Sequence, residues 1–230
     1  MLAFMFAYSK NLFESMLILV LILIGRQDAC AQGFVNLDFE DANLSGYSAG
    51  PVPAVDAIPG WTAYLGGMAL TNINYNVTGG ITIEGSHRGS SIQGNYFIYL
   101  EGSGGFLQPD ENASIGQTGT IPATARSMIF WGAFYTPFDI ISFNGQPLPV
   151  TGTGSGANYS IYGVNISAFA GQTGQLLFTS RSTPAAGGDA IDNIQFSSSA
   201  VPEPGVLSLL GLGGLFLASR CRNRGACPRD

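Results

Sequence analysis

The central part of this 230-residue chain lacks lysine and cysteine and contains few basic side chains of any kind. Between residues 33 and 200, Arg88, Arg126 and Arg181 are opposed by eleven carboxylates, which gives a net charge of −8. This balance argues against nucleic-acid binding, because no basic patch exists to neutralise phosphates. The absence of cysteine excludes disulfides, so core packing, with or without a bound cation, must hold the fold together. His87 is the only histidine, which excludes a histidine-based metal cluster within one chain.

The same region also lacks any window of a dozen residues with a helical apolar stripe. Glycine, serine, threonine and asparagine separate short apolar or alternating runs, a pattern that is typical of strands joined by loops. Asn144-Gly145 predicts a hairpin of Ile140–Phe143 with Gln146–Val150, in which Pro147 and Pro149 make the second strand an edge strand. Further strands are predicted at Asn72–Val77, Tyr96–Leu100, Met128–Phe134, Tyr159–Val164, Thr173–Thr179 and Ala190–Phe196. The runs at 96–100 and 128–134 are almost continuously apolar and predict strands buried on both faces. The predicted fold class is all-β, a two-sheet antiparallel β-sandwich of the jelly-roll type.

The N-terminal residues have the pattern of an export signal. Lys10 precedes the apolar run Met16–Ile24, and Ala29 and Ala31 occupy the two small-residue positions that signal peptidase reads. We therefore predict a signal peptide, with its signal helix, over residues 1–31 and a mature domain over residues 33–200. Cys30 raises the alternative of a lipoprotein, but the preceding Gln27-Asp28-Ala29 lack the apolar residue that a lipoprotein signal carries.

The C-terminal residues combine a proline-rich motif, an apolar run and an arginine cluster. The motif is Val201, Pro202, Glu203 and Pro204, and the cluster is Arg220, Arg222 and Arg224. The apolar run Val206–Ala218 would span about 20 Å as a helix, and including the preceding residues would let it cross a membrane of ~30 Å. The arginines place residues 225–230 in the cytoplasm as a short tail and everything upstream outside. The prolines keep the preceding peptide extended and accessible to a protease.

This order of motif, short transmembrane helix and arginine cluster resembles the PEP-CTERM sorting signal of Gram-negative bacteria. The resemblance assigns residues 201–224 to a signal that an exosortase recognises and cleaves. It implies export, anchoring in the inner membrane during sorting, and a final location outside the cell or on its surface. The alternative is an ordinary single-pass anchor that is never cut.

The two ends of the central domain resemble known sandwiches. Gly33–Glu40 followed by Ile58–Trp61 is similar to the start of galactose-binding-like jelly rolls, where a short strand ending in Phe-Glu precedes Gly-Trp. Asn165–Gln172, Leu176–Phe178 and Asp189–Ile194 resemble the end of PEP-CTERM ectodomains and of concanavalin-like and MAM-type sandwiches. Such jelly rolls often join their first and last strands with a structural calcium. The resemblance implies a calcium site at Glu40, Asp189 and Asp192, with Asp38 or Asp41 beside Glu40. The alternative is that these carboxylates are solvated groups at strand ends.

Two catalytic patterns occur without the structure that they require. Gly46–Gly50 matches the G-x-S-x-G nucleophile elbow, but Pro51 and Pro53 forbid the helix that must follow it. Gly152–Ala157 matches a dinucleotide fingerprint, yet it leads into a strand pattern rather than a helix N-terminus. No spacing among the acids selects the pair that a glycosidase needs. We therefore expect a protein that is not an enzyme.

Sugar binding is the activity that the aromatic and amide side chains favour. One candidate surface combines the alternating asparagines of one predicted strand with two tyrosines: Asn72, Asn74, Asn76, Tyr64 and Tyr75. A second combines Tyr47 with Trp61, although the apolar surroundings of Trp61 and Trp131 favour positions in the core. The predicted function is that of an exported, surface-associated, non-catalytic protein that binds or resides in extracellular polysaccharide or biofilm matrix. Signal peptidase and exosortase are its predicted processing partners. The alternatives are a purely structural envelope or matrix protein without a small ligand and, third, a polysaccharide-active enzyme.

Overall fold

The computed structural model of the protein describes residues 33–77, 79–85, 92–105, 108–134, 140–182 and 187–201, with side chains except at 103–105, 108–110, 134 and 140. The chain divides into two units, residues 1–32 and 33–230, and every described residue belongs to the second unit. The predicted signal peptide, the apolar run Val206–Ala218 and the arginine cluster lie outside the described residues. Within the described part, no helix is long and apolar enough to cross a membrane.

Strands form most of the described chain. They are β1 (Gly50–Pro53), β2 (Thr62–Leu65), β3 (Met68–Leu70), β4 (Asn72–Tyr75), β5 (Gly80–Gly85), β6 (Tyr96–Glu101), β7 (Ser103–Gly105), β8 (Gln108–Glu111), β9 (Ala113–Thr120), β10 (Ser127–Phe134), β11 (Ile140–Phe143), β12 (Gln146–Leu148), β13 (Val150–Ser155), β14 (Ser160–Asn165), β15 (Thr173–Ser180) and β16 (Asp189–Ser197). One helical turn, α1 (Ala54–Ala57), and a 3₁₀ turn at Ser167–Phe169 interrupt them.

Two sheets form a sandwich that does not close into a barrel. The larger sheet has eight strands in the order β1-β4-β5-β6-β16-β10-β14-β13, and the smaller has six in the order β12-β11-β15-β9-β2-β3. β7 and β8 form a separate two-stranded ribbon. The prediction of an all-β two-sheet sandwich is confirmed. One strand pair departs from the predicted antiparallel arrangement: β4 and β5 run parallel, with Asn74 opposite Thr82. The left-handed backbone of Gly79 and Gly80, with φ of 116° and 67°, allows the tight path between these strands.

The core lies between the sheets and is built from alternate residues of their strands. Met128 and Phe130 of β10 and Ile191 of β16 are fully buried from the larger sheet, and Ile115 and Phe178 from the smaller one. The rings of Phe130 and Phe178 meet edge to face across the sandwich, with centroids 5.6 Å apart. Each such side chain contributes about 2–3 kcal/mol by area removed from water.

The predicted hairpin and its edge strand are confirmed, but the second strand ends at Leu148, and Val150 already begins β13 in the larger sheet. Asn144 and Gly145 have φ of 49° and 74°, as a two-residue turn of this kind requires. β12 ends the six-stranded sheet, where Pro147 need not donate to a neighbour. The other predicted strands correspond to β4, β6, β10, β14, β15 and β16, with ends that differ by one or two residues.

Burial of β6 and β10 on both faces is a wrong prediction. Phe97, Tyr99, Ile129 and Trp131 point away from the core and are only half-buried. The expectation that Trp131 lies in the core is therefore wrong as well. Apolar side chains on both faces of these strands hid the two-residue alternation that separates an inner from an outer face.

The predicted opening strand of the domain is also absent. Gly33 makes one isolated bridge to Thr120, and the chain then turns, because Asn36 and Phe39 have left-handed φ of 48° and 58°. The side chain of Gln117 makes the two hydrogen bonds with the Val35 backbone that a neighbouring strand would otherwise make. Its Oε1 accepts the backbone N–H of Val35 at 2.6 Å, and its Nε2 donates to the Val35 carbonyl at 3.0 Å. The first and last segments nevertheless meet as expected, since Ile194 N donates to Leu37 O at 2.9 Å.

Candidate functional site

The peptide that leads into the proline-rich motif lies against the larger sheet. After β16 ends at Ser197, the hydroxyl of the buried Ser127 donates to the carbonyl of Ser199 at 2.8 Å, and Ser199 N donates to Ser197 Oγ at 3.1 Å. Val201 then lies over Gly163 of β14. A Cβ added at Gly163 would meet Val201 Cγ1 at 2.9 Å, so the missing side chain leaves the space that Val201 occupies.

An aromatic pair marks the outer face of the larger sheet. Trp131 and Tyr159 stack with ring centroids 4.5 Å apart and an interplanar angle of 11°, and both remain partly exposed. Gly156 leaves room for the tyrosine ring, since a Cβ there would collide with it, and Gly156 N donates to Tyr159 O at 2.8 Å. The two rings therefore already pack on each other without a ligand. Sequence reasoning missed this pair, because it placed Trp131 in the core.

The first predicted sugar-binding set does not form one surface. Tyr64 belongs to the smaller sheet, where its hydroxyl accepts from Gln175 Nε2 at 3.3 Å, whereas the asparagines belong to β4 and its end in the larger sheet. Tyr75 packs against the core. Asn74 donates to Gly79 O at 2.7 Å.

Asn76 joins the residue after β4 to the far end of β5, because its Oδ1 accepts from Gly85 N at 2.8 Å. Asn72, by contrast, is exposed at the start of β4. Two of the three amides therefore bond to the backbone of the protein, Asn74 at the turn between β4 and β5 and Asn76 at the end of β5.

The second predicted set is also divided. Trp61 is 5% exposed, and its indole N–H donates to Asn36 O at 2.9 Å, so it is a core residue as expected. Tyr47 is 39% exposed and donates to Asp56 Oδ2 at 2.8 Å. This hydrogen bond raises the pKa of the Tyr47 phenol, with smaller effects from desolvation and the charge of Asp56.

Carboxylates gather where the first segment of the domain meets β16. Glu40 accepts three hydrogen bonds: from Asn95 N at 2.7 Å, Asn95 Nδ2 at 2.9 Å and Tyr96 N at 2.9 Å. Asp192 has no exposed surface; its Oδ2 accepts from Gln93 N at 2.8 Å and its Oδ1 from Asn193 N at 2.6 Å. Glu40 and Asp192 are thus brought to the same end of the larger sheet.

Burial dominates the protonation of Asp192. Its pKa is raised to about 7, mainly by desolvation; the two backbone hydrogen bonds lower the pKa, and the charges of Glu40 and Asp38 add to the increase. A buried acid with a raised pKa is also a feature of catalytic sites. Here, however, both oxygens accept backbone N–H groups and the side chain has no exposed surface, which indicates a structural role.

The predicted calcium ligands are not all in one place. Asp189 lies opposite Leu100, four residues along β6 from the Tyr96 amide that binds Glu40. At roughly 3.3 Å per residue, the two positions are about 13 Å apart. Among the described residues, no three His, Cys, Asp or Glu side chains are grouped to hold a metal ion.

The structure thus separates Asp189 from Glu40 and Asp192, because it lies at the far end of β16's pairing with β6. Gln93 Oε1, in the segment that covers Asp192, is buried without a hydrogen-bond partner, an unused oxygen of the kind that Ca²⁺ prefers. The calcium site stays a prediction, and its acidic ligands would be Glu40 and Asp192.

The two catalytic patterns lie in unsuitable structure. Residues 46–49 form a loop and Gly50 begins β1, so a strand follows the serine where a nucleophile elbow needs a helix. Residues 152–155 belong to β13, at the edge of the larger sheet, so no helix N-terminus follows them.

Comparison with known families identifies the C-terminal segment. A family model described as the PEP-CTERM protein-sorting motif matches residues 200–223. The chain carries a PEP-CTERM sorting motif. It is therefore an exported surface protein that is sorted by an exosortase and anchored at the membrane during sorting. No significant match was found among curated proteins or among solved structures.

Proposed function

We propose that the mature protein acts without catalysis in the extracellular polysaccharide or biofilm matrix of a Gram-negative bacterium, and that it binds polysaccharide through the outer face of the larger sheet. The observation that carries this proposal is the partly exposed stack of Trp131 on Tyr159. Sugar rings bind proteins by laying their C–H faces on aromatic rings, and rings held in advance lose little conformational entropy on binding.

The surroundings of the stack suit a neutral or weakly charged glycan. Thr153 and Gln195 lie on the neighbouring strands of the same sheet and carry uncharged polar groups, which already bond to Ile161 O at 3.2 Å and to Asn193 Oδ1 at 2.7 Å. The domain carries a net charge of −8, which disfavours nucleic acids and strongly anionic polymers. We propose a role without catalysis because the two sequence patterns that resemble catalytic or cofactor motifs both lack the helix that such motifs need.

A binding assay with matched aromatic variants tests the proposal. The exported protein is titrated against a glycan array and against the exopolysaccharide of its host. We expect saturable binding that Trp131→Ala weakens roughly five- to tenfold, because an aromatic contact of this kind contributes about 1–1.5 kcal/mol. Tyr64→Ala is the control, since it removes a half-buried aromatic residue from the opposite sheet.

The outcomes separate the alternatives. Loss of binding in Tyr64→Ala but not in Trp131→Ala would move the site to the smaller sheet and contradict the proposal. Absence of saturable binding would favour the purely structural matrix protein. Release of new reducing ends from the polysaccharide would show an enzyme instead.

A further inference from the structure

The first residue of the proline-rich motif is fastened to the folded domain by two separate contacts. Val201 occupies the space above Gly163, where an added Cβ would meet its Cγ1 at 2.9 Å and its Cγ2 at 3.3 Å. The buried hydroxyl of Ser127 holds the Ser199 carbonyl at 2.8 Å, two residues earlier. Only three residues separate the end of β16 from Val201. The motif therefore begins on the surface of the sandwich rather than on a free linker.

We infer that this docking is an autoinhibitory contact, which slows exosortase recognition of the motif in the folded protein. This inference rests on exosortase sorting of the chain. A protease binds an extended peptide whose backbone and side chains it can reach from several sides. Val201 offers one face of its side chain to Gly163, and its backbone is tethered two residues upstream by Ser127. The enzyme must therefore act on the undocked peptide.

Proteolysis of a transiently opened segment follows the population of the open form when opening and closing are fast. A partly buried valine and one hydrogen bond keep the population of the undocked peptide low. Losing the valine contact alone raises that population by roughly tenfold. The domain itself should remain folded, since both contacts lie beyond the last strand or on the outer face.

Gly163→Val tests the inference without altering the motif. The new side chain fills the space that Val201 uses, and Gly163 has a backbone that other residues adopt readily. The added Cβ would also meet Thr153 Cγ2 at 3.0 Å, so urea unfolding of the variant is measured beside the wild type to separate loss of docking from loss of domain stability. Gly152→Val is the matched control, because Gly152 lies on the neighbouring strand β13 and its added Cβ would meet nothing within 4 Å. Ser127→Ala is a second variant, which removes the tether and leaves the space above Gly163 unchanged.

Two measurements are made on the full-length chain. Hydrogen exchange over residues 197–201 reports docking, and pulse-chase in cells that contain the exosortase reports the processing rate. We expect faster exchange and roughly tenfold faster processing in Gly163→Val, a smaller increase in Ser127→Ala, and wild-type behaviour in Gly152→Val.

Equal exchange in Gly163→Val and the wild type would overturn the inference, because Val201 would then not be held at Gly163. Faster exchange with an unchanged processing rate would overturn it too, since docking would not limit the enzyme. If the wild type is never cut although the exosortase is present, the failure is that of exosortase sorting itself.

Discussion

Raising the pH should destabilise the sandwich through Asp192. Its pKa is about 7 in the folded protein, mainly because burial disfavours the carboxylate, whereas an unfolded aspartate titrates near ~3.9. Between these values the folded state binds more protons than the unfolded state. The contribution of Asp192 to the free energy of unfolding therefore falls as the pH rises through this window, and it is fully present below about pH 4.

The magnitude follows from the difference in pKa. About three pKa units correspond to about 4 kcal/mol lost between pH 4 and pH 7, at ~1.4 kcal/mol per unit. This is a large part of the ~5–15 kcal/mol that stabilises an ordinary domain. Urea unfolding of the exported domain from pH 4 to pH 8 measures it.

Asp192→Asn isolates the effect. The amide cannot ionise, so the variant should lose most of the pH slope, although it keeps one acceptor for two N–H groups and should lose about 1–3 kcal/mol at pH 4. Asp41→Asn, an exposed change in the adjoining turn, should retain the wild-type slope. Calcium at pH 7 should stabilise the wild type and not Asp192→Asn if the predicted cation site is real. A wild-type stability that is flat or rising between pH 4 and pH 7, or an unchanged slope in Asp192→Asn, would refute the reasoning.

Two further substitutions test how the N-terminal segment is attached. Gly94→Ala should destabilise the domain by about 1–3 kcal/mol, because Gly94 has a φ of 60° and its Cβ would collide with the Glu40 carboxylate. Gly67→Ala is the control, because Gly67 also has a positive φ but an added Cβ there would meet nothing within 4 Å. Thermal unfolding compares the two variants, and equal losses of stability would contradict the role of Glu40. Gln117→Ala should cost about 2–3 kcal/mol in urea unfolding, because Val35 loses both partners of its backbone, and a loss below ~0.5 kcal/mol would contradict this.

Local patterns were sufficient to predict most of the strands. The Asn144-Gly145 turn, the alternation of Asn72–Tyr75 and the prolines near β12 each specify backbone geometry through neighbouring residues alone. The pairing of the domain's first and last segments was expected from a resemblance at its two ends. Sheet order and the parallel pairing of β4 with β5 depend on contacts between distant residues, which no local pattern contains.

The candidate sites were harder to predict because they depend on which face a side chain takes. Ile129 and Trp131 are apolar residues on the outer face of β10, so composition alone assigned Trp131 to the core. Asn74 and Asn76 had the composition of a sugar-binding surface, but their amides bond to the backbone of Gly79 and Gly85. Gly163 gave no signal at all, since its importance comes from Val201, 38 positions later in the chain.

The most direct test of the account is the mass of the C-terminus in cells with and without the exosortase. We expect the wild-type strain to yield a protein truncated after the proline-rich motif, without the arginine cluster and recovered outside the cytoplasmic membrane. The exosortase-deficient strain should retain the arginine cluster and keep the protein in the membrane fraction. An identical, full-length C-terminus in both strains would contradict the central claim that this chain is an exported protein sorted through residues 200–223.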